Sequence, residues 1–171
     1  MKNKKAAFLD RDGVLNYDTG YVYKIKDFIW KKKAKEAIKF LNNQNYLVIV
    51  VSNQSGIGRE YYNEKDLLKL NNWIQKDLKK IGARISAFYF APYYKFSKKK
   101  KYRKGEEMRK PNKGMITKAL KKWKINKKKS FIIGDSNVDK NLARNTKIRF
   151  CKVSNRSNLL NVVRKLSKNI L

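Results

Sequence analysis

The chain has 171 residues, and its 44 Lys and Arg against 13 Asp and Glu give a formal net charge of +31 at pH 7. It has no histidine and a single cysteine, Cys151, which excludes an internal disulfide and any zinc site built on Cys and His ligands. Mechanisms with an imidazole base are excluded too, so acid–base chemistry falls to carboxylates or lysines.

Five short apolar runs predict buried strands, in chain order at 6–9, 47–51, 87–90, 131–133 and 148–153. Apolar positions at helical spacing between them predict helices at 34–41, 67–81, 115–123 and 138–143, and a closing helix at 159–166. Strands that alternate with helices indicate an α/β fold, with one mostly parallel sheet covered by helices on both faces. The length fits a single domain over 1–171, in which only 91–110 lacks a clear element.

Conspicuous polar residues follow four of the five predicted strands. The first strand runs into 10–13, the second into 52–56 and the fourth into 134–136, while the third leads through a long basic loop to 109–111. Ligands of parallel α/β sheets bind at the carboxyl ends of the strands. We therefore expect these four segments to meet around one ligand.

Two carboxylates, Asp10 and Asp12, stand two residues apart at a strand end, so their side chains leave the same side of the backbone. Carboxylates that close repel each other unless a cation lies near them, and hard oxygen ligands suit Mg²⁺. The spacing does not fit a calcium loop, although a polar turn that caps a helix is an alternative. The segment 134–139 brings Asp135 and Asp139 to the same edge.

Groups suited to phosphate binding occur at the other strand ends. Ser52 and Asn53 offer a hydroxyl and an amide, Lys110 a point charge and Arg109 a bidentate fork. Each has a simpler interpretation, since Ser52 could cap a helix, Asp139 could be a surface residue and Lys110 is one of many lysines. Their joint order along the chain favours a phosphate site.

The order of these residues carries a family resemblance. Asp10-Arg11-Asp12-Gly13, Ser52, Lys110 and Gly134-Asp135 with Asp139 resemble the four ordered motifs of the haloacid dehalogenase (HAD) superfamily. In more detail, the chain resembles the D-glycero-D-manno-heptose-1,7-bisphosphate phosphatases and, less closely, the histidinol-phosphate phosphatases, in the segments 8–16, 20–22, 51–57 and 109–111. The resemblance implies a three-layer, Rossmann-like fold without a large cap domain.

The resemblance also implies roles for residues of this chain. Asp10 would be the nucleophile that forms an aspartyl phosphate, and Asp12 the general acid and base. Mg²⁺ would be held by Asp10, Asp135 and the backbone carbonyl of Asp12, while Ser52 and Lys110 would hold the phosphoryl oxygens. Substrate contacts would come from Asp18, Thr19, Gly20, Tyr21, Asn53, Gln54, Ser55 and Arg109.

Two departures from the family pattern stand out. Members usually carry a zinc loop, but its ligand positions here hold Ala91, Tyr93, Glu106 and Met108. The usual lysine after the last motif's aspartate is Ser136. We therefore expect Mg²⁺ as cofactor and no zinc, and we expect the basic loop 91–110 to bear on specificity more than on catalysis.

The favoured function is hydrolysis of a small phosphorylated metabolite, above all D-glycero-D-manno-heptose 1,7-bisphosphate, with histidinol phosphate as an alternative. A nucleic-acid 3′-end phosphatase is a second alternative, since Tyr93, Tyr94, Phe96 and Tyr102 interleave with lysines in the densest basic cluster. A catalytically dead binding module is a third, although it would be expected to have lost Asp10 or Asp12.

The net charge and the apolar runs bear on partners and location. Lysine is spread along the whole chain together with abundant Asn and Ile, which favours compositional bias over a nucleic-acid partner without excluding one. The longest apolar run, 47–51, is far shorter than the roughly 20 residues of a membrane helix. The apolar run before Asp10 is too short for a secretory signal. We expect a cytoplasmic monomer without membrane contact.

Overall fold

A parallel five-stranded sheet lies at the centre of the computed structural model, which describes residues 4–168. The order across the sheet is β3-β2-β1-β4-β5, and all neighbouring strands are parallel. The strands are β1 Lys5–Leu9, β2 Tyr46–Asn53, β3 Ala87–Ala91, β4 Phe131–Gly134 and β5 Arg149–Lys152. The five predicted strands are therefore confirmed, but only β1, β2 and β4 are buried as predicted, while the edge strands β3 and β5 are partly exposed.

Five α-helices connect the strands: α1 Ala34–Asn43, α2 Glu64–Lys79, α3 Gly114–Trp123, α4 Asn137–Thr146 and α5 Leu159–Lys168. All five predicted helices are present. The start of α2 lies three residues before the predicted one, because Asn63 and Asp66 form a capping box ahead of the first apolar position, Leu67. Ser136 and Asp139 form the equivalent capping box at the start of α4.

The sheet separates two apolar layers. On one face Ala7 and Leu9 of β1 pack in a cluster with residues of α1, α2 and α5, and on the other Ala6 and Phe8 pack with residues of α3 and α4. This alternation along one strand is what a sheet covered on both faces requires. The predicted three-layer α/β fold is confirmed. Within the part of the chain described, no helix has the length and apolar content needed to span a bilayer.

No helix or strand was predicted for the segment between β3 and α3. The structure has two short 3₁₀ helices there, Lys100–Tyr102 and Glu106–Met108. Tyr102 is buried in a small apolar cluster with Ile57, Tyr62 and Leu67. Its hydroxyl also donates a hydrogen bond to Glu64 at 2.6 Å. The basic loop is thus anchored on the start of α2, beside the segment that follows β2.

Candidate active site

A cavity of about 390 Å³ opens at the carboxyl ends of β1, β2 and β4. The parallel register places the ends of these strands side by side, and the Asp10 N–H donates to the Ile133 carbonyl oxygen at 3.0 Å. Of the predicted site residues, only Thr19 and Arg109 do not line this cavity. Its lining consists of Asp10, Asp12, Asp18, Gly20, Tyr21, Ser52, Asn53, Gln54, Ser55, Tyr62, Lys110, Asp135, Ser136 and Val138.

An ammonium group lies between two carboxylates at the floor of the cavity. Lys110 Nζ is 2.8 Å from Asp10 Oδ2 and 2.7 Å from Asp139 Oδ1, and Lys110 is buried. The backbone of Lys110 is fixed by Asn53, whose side-chain amide donates to the Lys110 carbonyl at 3.0 Å and accepts from its N–H at 2.9 Å. This reciprocal pair fixes the end of the long basic loop to the end of β2.

The cluster shifts the titration of its own members. Burial raises the pKa of Asp10 to about 7, although the ammonium of Lys110 opposes this and Asp139 adds to it. Burial alone would lower the pKa of Lys110, but the charges of Asp10 and Asp139 raise it above its usual value. Burial also raises the pKa of Asp135, and repulsion from Asp139 contributes. Burial therefore favours the neutral forms of Asp10 and Asp135.

Three carboxylates, those of Asp10, Asp135 and Asp139, offer ligand atoms that all lie within 4.8 Å of one another. Such a set of hard oxygen atoms fits Mg²⁺, which protein sites usually hold through one or two carboxylates and several waters. Both oxygens of Asp139 are already engaged, one by Lys110 and the other by the Ser136 hydroxyl at 2.6 Å. Asp139 is 1% exposed, so its interpretation as a surface residue is wrong, and it anchors Lys110.

The side chain of Asp12 accepts hydrogen bonds from four donor atoms. Arg11 Nη2 lies 2.9 Å from both carboxylate oxygens of Asp12 and Arg11 Nε lies 3.1 Å from Oδ1. The amides of Asn16 and Gln54 each donate to Asp12 at 3.0 Å. Arg11 is almost wholly buried, and its Nη2 also donates to the Val22 carbonyl. These charge-assisted bonds fix the Asp12 carboxylate in the lining of the cavity.

The turn that follows Asp12 packs directly against Asp135. Gly13 has a φ of +78°, and a Cβ atom built there would lie 1.9 Å from Asp135 Oδ2. Lys31 Nζ holds the Gly13 carbonyl at 2.7 Å and the Ser154 carbonyl at 2.8 Å. Glycine is therefore needed at this position for both conformation and space.

Comparison with known proteins shows the family of the chain. The family described as polynucleotide kinase 3 phosphatase matches residues 5–156 of the chain. The chain belongs to this family, within the HAD superfamily. The family resemblance inferred from the sequence is thereby confirmed.

Two relatives of this HAD phosphatase show its degree of similarity in sequence. It is 40% identical to D-glycero-alpha-D-manno-heptose-1,7-bisphosphate 7-phosphatase of Photorhabdus laumondii over 135 residues. These residues make up 79% of this chain and 74% of the relative. It is 38% identical over 146 residues to D-glycero-beta-D-manno-heptose-1,7-bisphosphate 7-phosphatase of Pasteurella multocida, which covers 85% and 79%.

Two solved structures show its similarity in fold. A HAD-like phosphatase of Mesorhizobium loti matches with a TM-score of 0.84 and 25% identity, over 97% of this chain and 87% of that one. D,D-heptose 1,7-bisphosphate phosphatase of B. bronchiseptica, complexed with magnesium and phosphate, matches with a TM-score of 0.79 and 22% identity, over 96% and 99%. The second likeness shows the fold alone.

Two predicted substrate contacts of this HAD phosphatase lie outside the cavity lining. Arg109 is half-buried, and its Nη1 donates to the Tyr93 carbonyl at 3.3 Å. Thr19 is exposed on the rim loop, beside the turn in which Asp18 accepts from the Gly20 N–H at 2.9 Å. Their contacts with substrate remain predictions.

In this HAD phosphatase, most of the residues at the family's zinc-ligand positions pack in an apolar cluster. Ala91 and Met108 are buried in the cluster that includes α3, and Tyr93 packs against the same cluster. Glu106 is exposed, and its carbonyl accepts from the Arg109 N–H at 2.9 Å. Apolar contacts therefore hold the base of the loop at three of the four positions where the family pattern has metal ligands.

Sequence analysis missed three side chains that organise the site: Asn16, Lys31 and Tyr62. Asn16 donates to Asp12, Lys31 holds Gly13, and Tyr62 lines the cavity. Asn16 lies in the segment 8–16 that carries the family resemblance, whereas no pattern in the sequence separates Lys31 and Tyr62 from other Lys and Tyr residues. All three act through contacts made by the folded chain.

Proposed function

We propose that this chain is a Mg²⁺-dependent phosphatase that hydrolyses a small phosphorylated sugar, with D-glycero-D-manno-heptose 1,7-bisphosphate as the favoured substrate. The observation that carries the chemistry is the cluster at the strand ends, where Lys110 bridges Asp10 and Asp139 beside Asp135. The relatives named as heptose-bisphosphate phosphatases support the substrate.

In the proposed reaction Asp10 attacks phosphorus and the bond from phosphorus to the sugar oxygen breaks, while Asp12 gives that oxygen a proton. Water then hydrolyses the aspartyl phosphate, and Asp12 takes a proton from it. Ser52 and Lys110 hold the phosphoryl oxygens throughout. Because the two half-reactions need the same proton in opposite directions, one carboxyl group serves as acid and then as base.

The charge of the cavity supports a metal requirement. Four carboxylates and a single ammonium, that of Lys110, line the cavity, so an anionic phosphate would be repelled without a further cation. Mg²⁺ held by Asp10, Asp135 and the Asp12 carbonyl would neutralise this repulsion and lower the pKa of Asp10. Most of the chain's positive charge lies outside the lining, which supports its interpretation as compositional.

The second phosphate of the sugar would interact with Arg109. Arg109 directly precedes Lys110, which lies at the cavity floor, and its guanidinium has more donors than its one bond to Tyr93 uses. Binding energy from a remote phosphate can orient the reacting one. Relatives named for the alpha and for the beta anomer are almost equally similar, so the proposal covers both anomers.

The test is a screen of the purified protein with Mg²⁺ against both heptose 1,7-bisphosphate anomers, histidinol phosphate and a 3′-phosphorylated oligonucleotide. We expect the highest kcat/KM on a heptose bisphosphate, and no turnover by Asp10→Asn. Arg109→Ala should lower kcat/KM more for the bisphosphate than for a monophosphate, by the roughly 10-fold or more of a charge-assisted hydrogen bond. Equal activity of wild type and Asp10→Asn would contradict the mechanism.

A second candidate, a nucleic-acid 3′-phosphatase, is favoured by the family's description and by an exposed basic and aromatic loop. Phe96 is 69% exposed, Lys95 Nζ lies 4.7 Å from its ring centre, and Tyr94 contacts it edge-on. Exposed rings next to cations can stack on bases. A higher kcat/KM on the oligonucleotide, lost when Lys98, Lys99, Lys100 and Lys101 are neutralised, would replace the sugar by this substrate.

A further inference from the structure

We propose that Tyr62 is a positioning residue of this phosphatase, which fixes the amide of Gln54 and thereby directs the hydroxyl hydrogen of Ser52 toward the phosphoryl oxygens. This inference rests on the proposed phosphatase function and deepens it, since Tyr62 would act on the reaction through Gln54 and Ser52.

The contacts form a continuous chain from the apolar cluster to the cavity. The Tyr62 hydroxyl donates to Gln54 Oε1 at 2.5 Å. Gln54 Nε2 in turn donates to Ser52 Oγ at 2.7 Å and to Asp12 Oδ2 at 3.0 Å. Gln54 is 3% exposed, so these partners replace the water that it would otherwise bind.

The donors and acceptors of this chain can be assigned in one consistent way. The Asp12 carboxylate accepts from Arg11 and Asn16, and the atom of Gln54 that faces its Oδ2 is the amide nitrogen, which is a donor. Both amide hydrogens are then used, one on Asp12 and the other on Ser52. The amide oxygen faces Tyr62, which must donate. Since Ser52 Oγ accepts from Gln54, its own hydrogen remains available for a phosphoryl oxygen in the cavity.

Tyr62 is rigidly held, as a positioning residue has to be. Its ring stacks on Tyr23 with 4.7 Å between the ring centres and an angle of 8° between the planes. It is buried in the cluster that contains Ile57 and Leu67, and Gly56 packs so closely on the ring that an added Cβ would lie 2.2 Å from it. Burial raises the pKa of Tyr62 well above its usual value, so the hydroxyl keeps its proton and remains a donor.

Removal of the Tyr62 hydroxyl would leave Gln54 Oε1 buried without a donor. The amide would then be held only by its bonds to Asp12 and Ser52, and Ser52 Oγ would no longer be fixed with its hydrogen toward the phosphoryl group. We therefore expect Tyr62→Phe to lower kcat/KM roughly three- to tenfold, the range of a neutral hydrogen bond. The apparent Kd for orthovanadate with Mg²⁺ should rise by a similar factor, since vanadate mimics the transferring phosphoryl group.

The matched control is Tyr102→Phe. Tyr102 belongs to the same apolar cluster and its hydroxyl is also hydrogen-bonded, but to Glu64 on α2 and not to Gln54. This variant should lose a similar amount of stability in urea unfolding while its kcat/KM and vanadate affinity stay within about twofold of wild type. An equal loss of activity in both variants would show that only the packing of the cluster matters.

A double-mutant cycle separates positioning from a general structural effect. If Tyr62 acts through Gln54, Tyr62→Phe should change kcat/KM less than twofold in a Gln54→Ala background. The inference is overturned if Tyr62→Phe costs as much in that background as in the wild type, or costs nothing in either. A wild type that neither hydrolyses any phosphomonoester nor binds vanadate would instead overturn the phosphatase function and this inference with it. If the vanadate affinities of the four proteins in the cycle change as expected but heptose 1,7-bisphosphate is not hydrolysed, only the proposed substrate is refuted.

Discussion

The raised pKa of the buried Asp10 carboxyl can be tested without substrate, by measuring how the free energy of unfolding depends on pH in the absence of metal. The structure buries this carboxyl beside Asp139 and raises its pKa from 3.8 to about 7. Between these two pH values the folded protein keeps the proton while the unfolded chain releases it. The folded state therefore loses stability as pH rises through this window. Asp10→Asn cannot show this loss, because its amide does not titrate.

The size of the effect follows from the shift. One pKa unit corresponds to about 1.4 kcal/mol, and the folded state holds the proton over about two pH units above pH 5. The free energy of unfolding of wild type should thus fall by about 3 kcal/mol relative to Asp10→Asn between pH 5 and pH 8. Asp10→Asn also removes a partner of Lys110, which lowers the free energy of unfolding by an amount that does not depend on pH. This amount cancels, because the comparison is between the pH dependences of wild type and variant.

The assay is urea unfolding with a chelator at pH 5, 6, 7 and 8, followed by tryptophan fluorescence. Asp27→Asn, which removes one negative charge from the exposed turn before α1, serves as the charge control and should keep a pH dependence close to that of wild type. Adding Mg²⁺ should stabilise wild type more at pH 8 than at pH 6, since the ion requires an ionised Asp10. Curves for wild type and Asp10→Asn that run parallel from pH 5 to 8 would refute the reasoning.

Three further predictions concern catalysis, the metal and the loop. Asp12→Asn should lower kcat by roughly 10²- to 10⁴-fold, as expected for loss of a general acid, and steady-state kinetics that show less than a tenfold change would argue against that role. Gly13→Ala should weaken Mg²⁺ binding at least tenfold in titration calorimetry, because its Cβ would displace the Asp135 carboxylate; unchanged affinity would mean that Asp135 is not a ligand. Elemental analysis of the purified protein should find no stoichiometric zinc, and a full equivalent would show that the loop binds metal through other residues.

Much of this molecule is determined locally by its sequence. The apolar runs mark the five strands, and the helical spacing of residues such as Ala34, Ala37 and Leu41 marks the helices, because each pattern is complete within a few residues. Asp10, Asp12 and Asp135 follow strand ends directly, so the topology of a parallel sheet suffices to bring them to one edge. The family motifs are recognisable for the same reason, since each is a short segment of contiguous chain.

Other features depended on contacts between segments far apart in the chain. Lys110 reaches Asp139 across 29 residues and is held by Asn53 across 57, so the family motif identifies this lysine but the sequence does not show which groups hold it. The burial of Asp139 and the chain of hydrogen bonds from Tyr62 to Ser52 became visible only once the helices and loops had packed on the sheet. A buried polar group takes whichever partner the packed layers bring to it, and no local pattern specifies that partner.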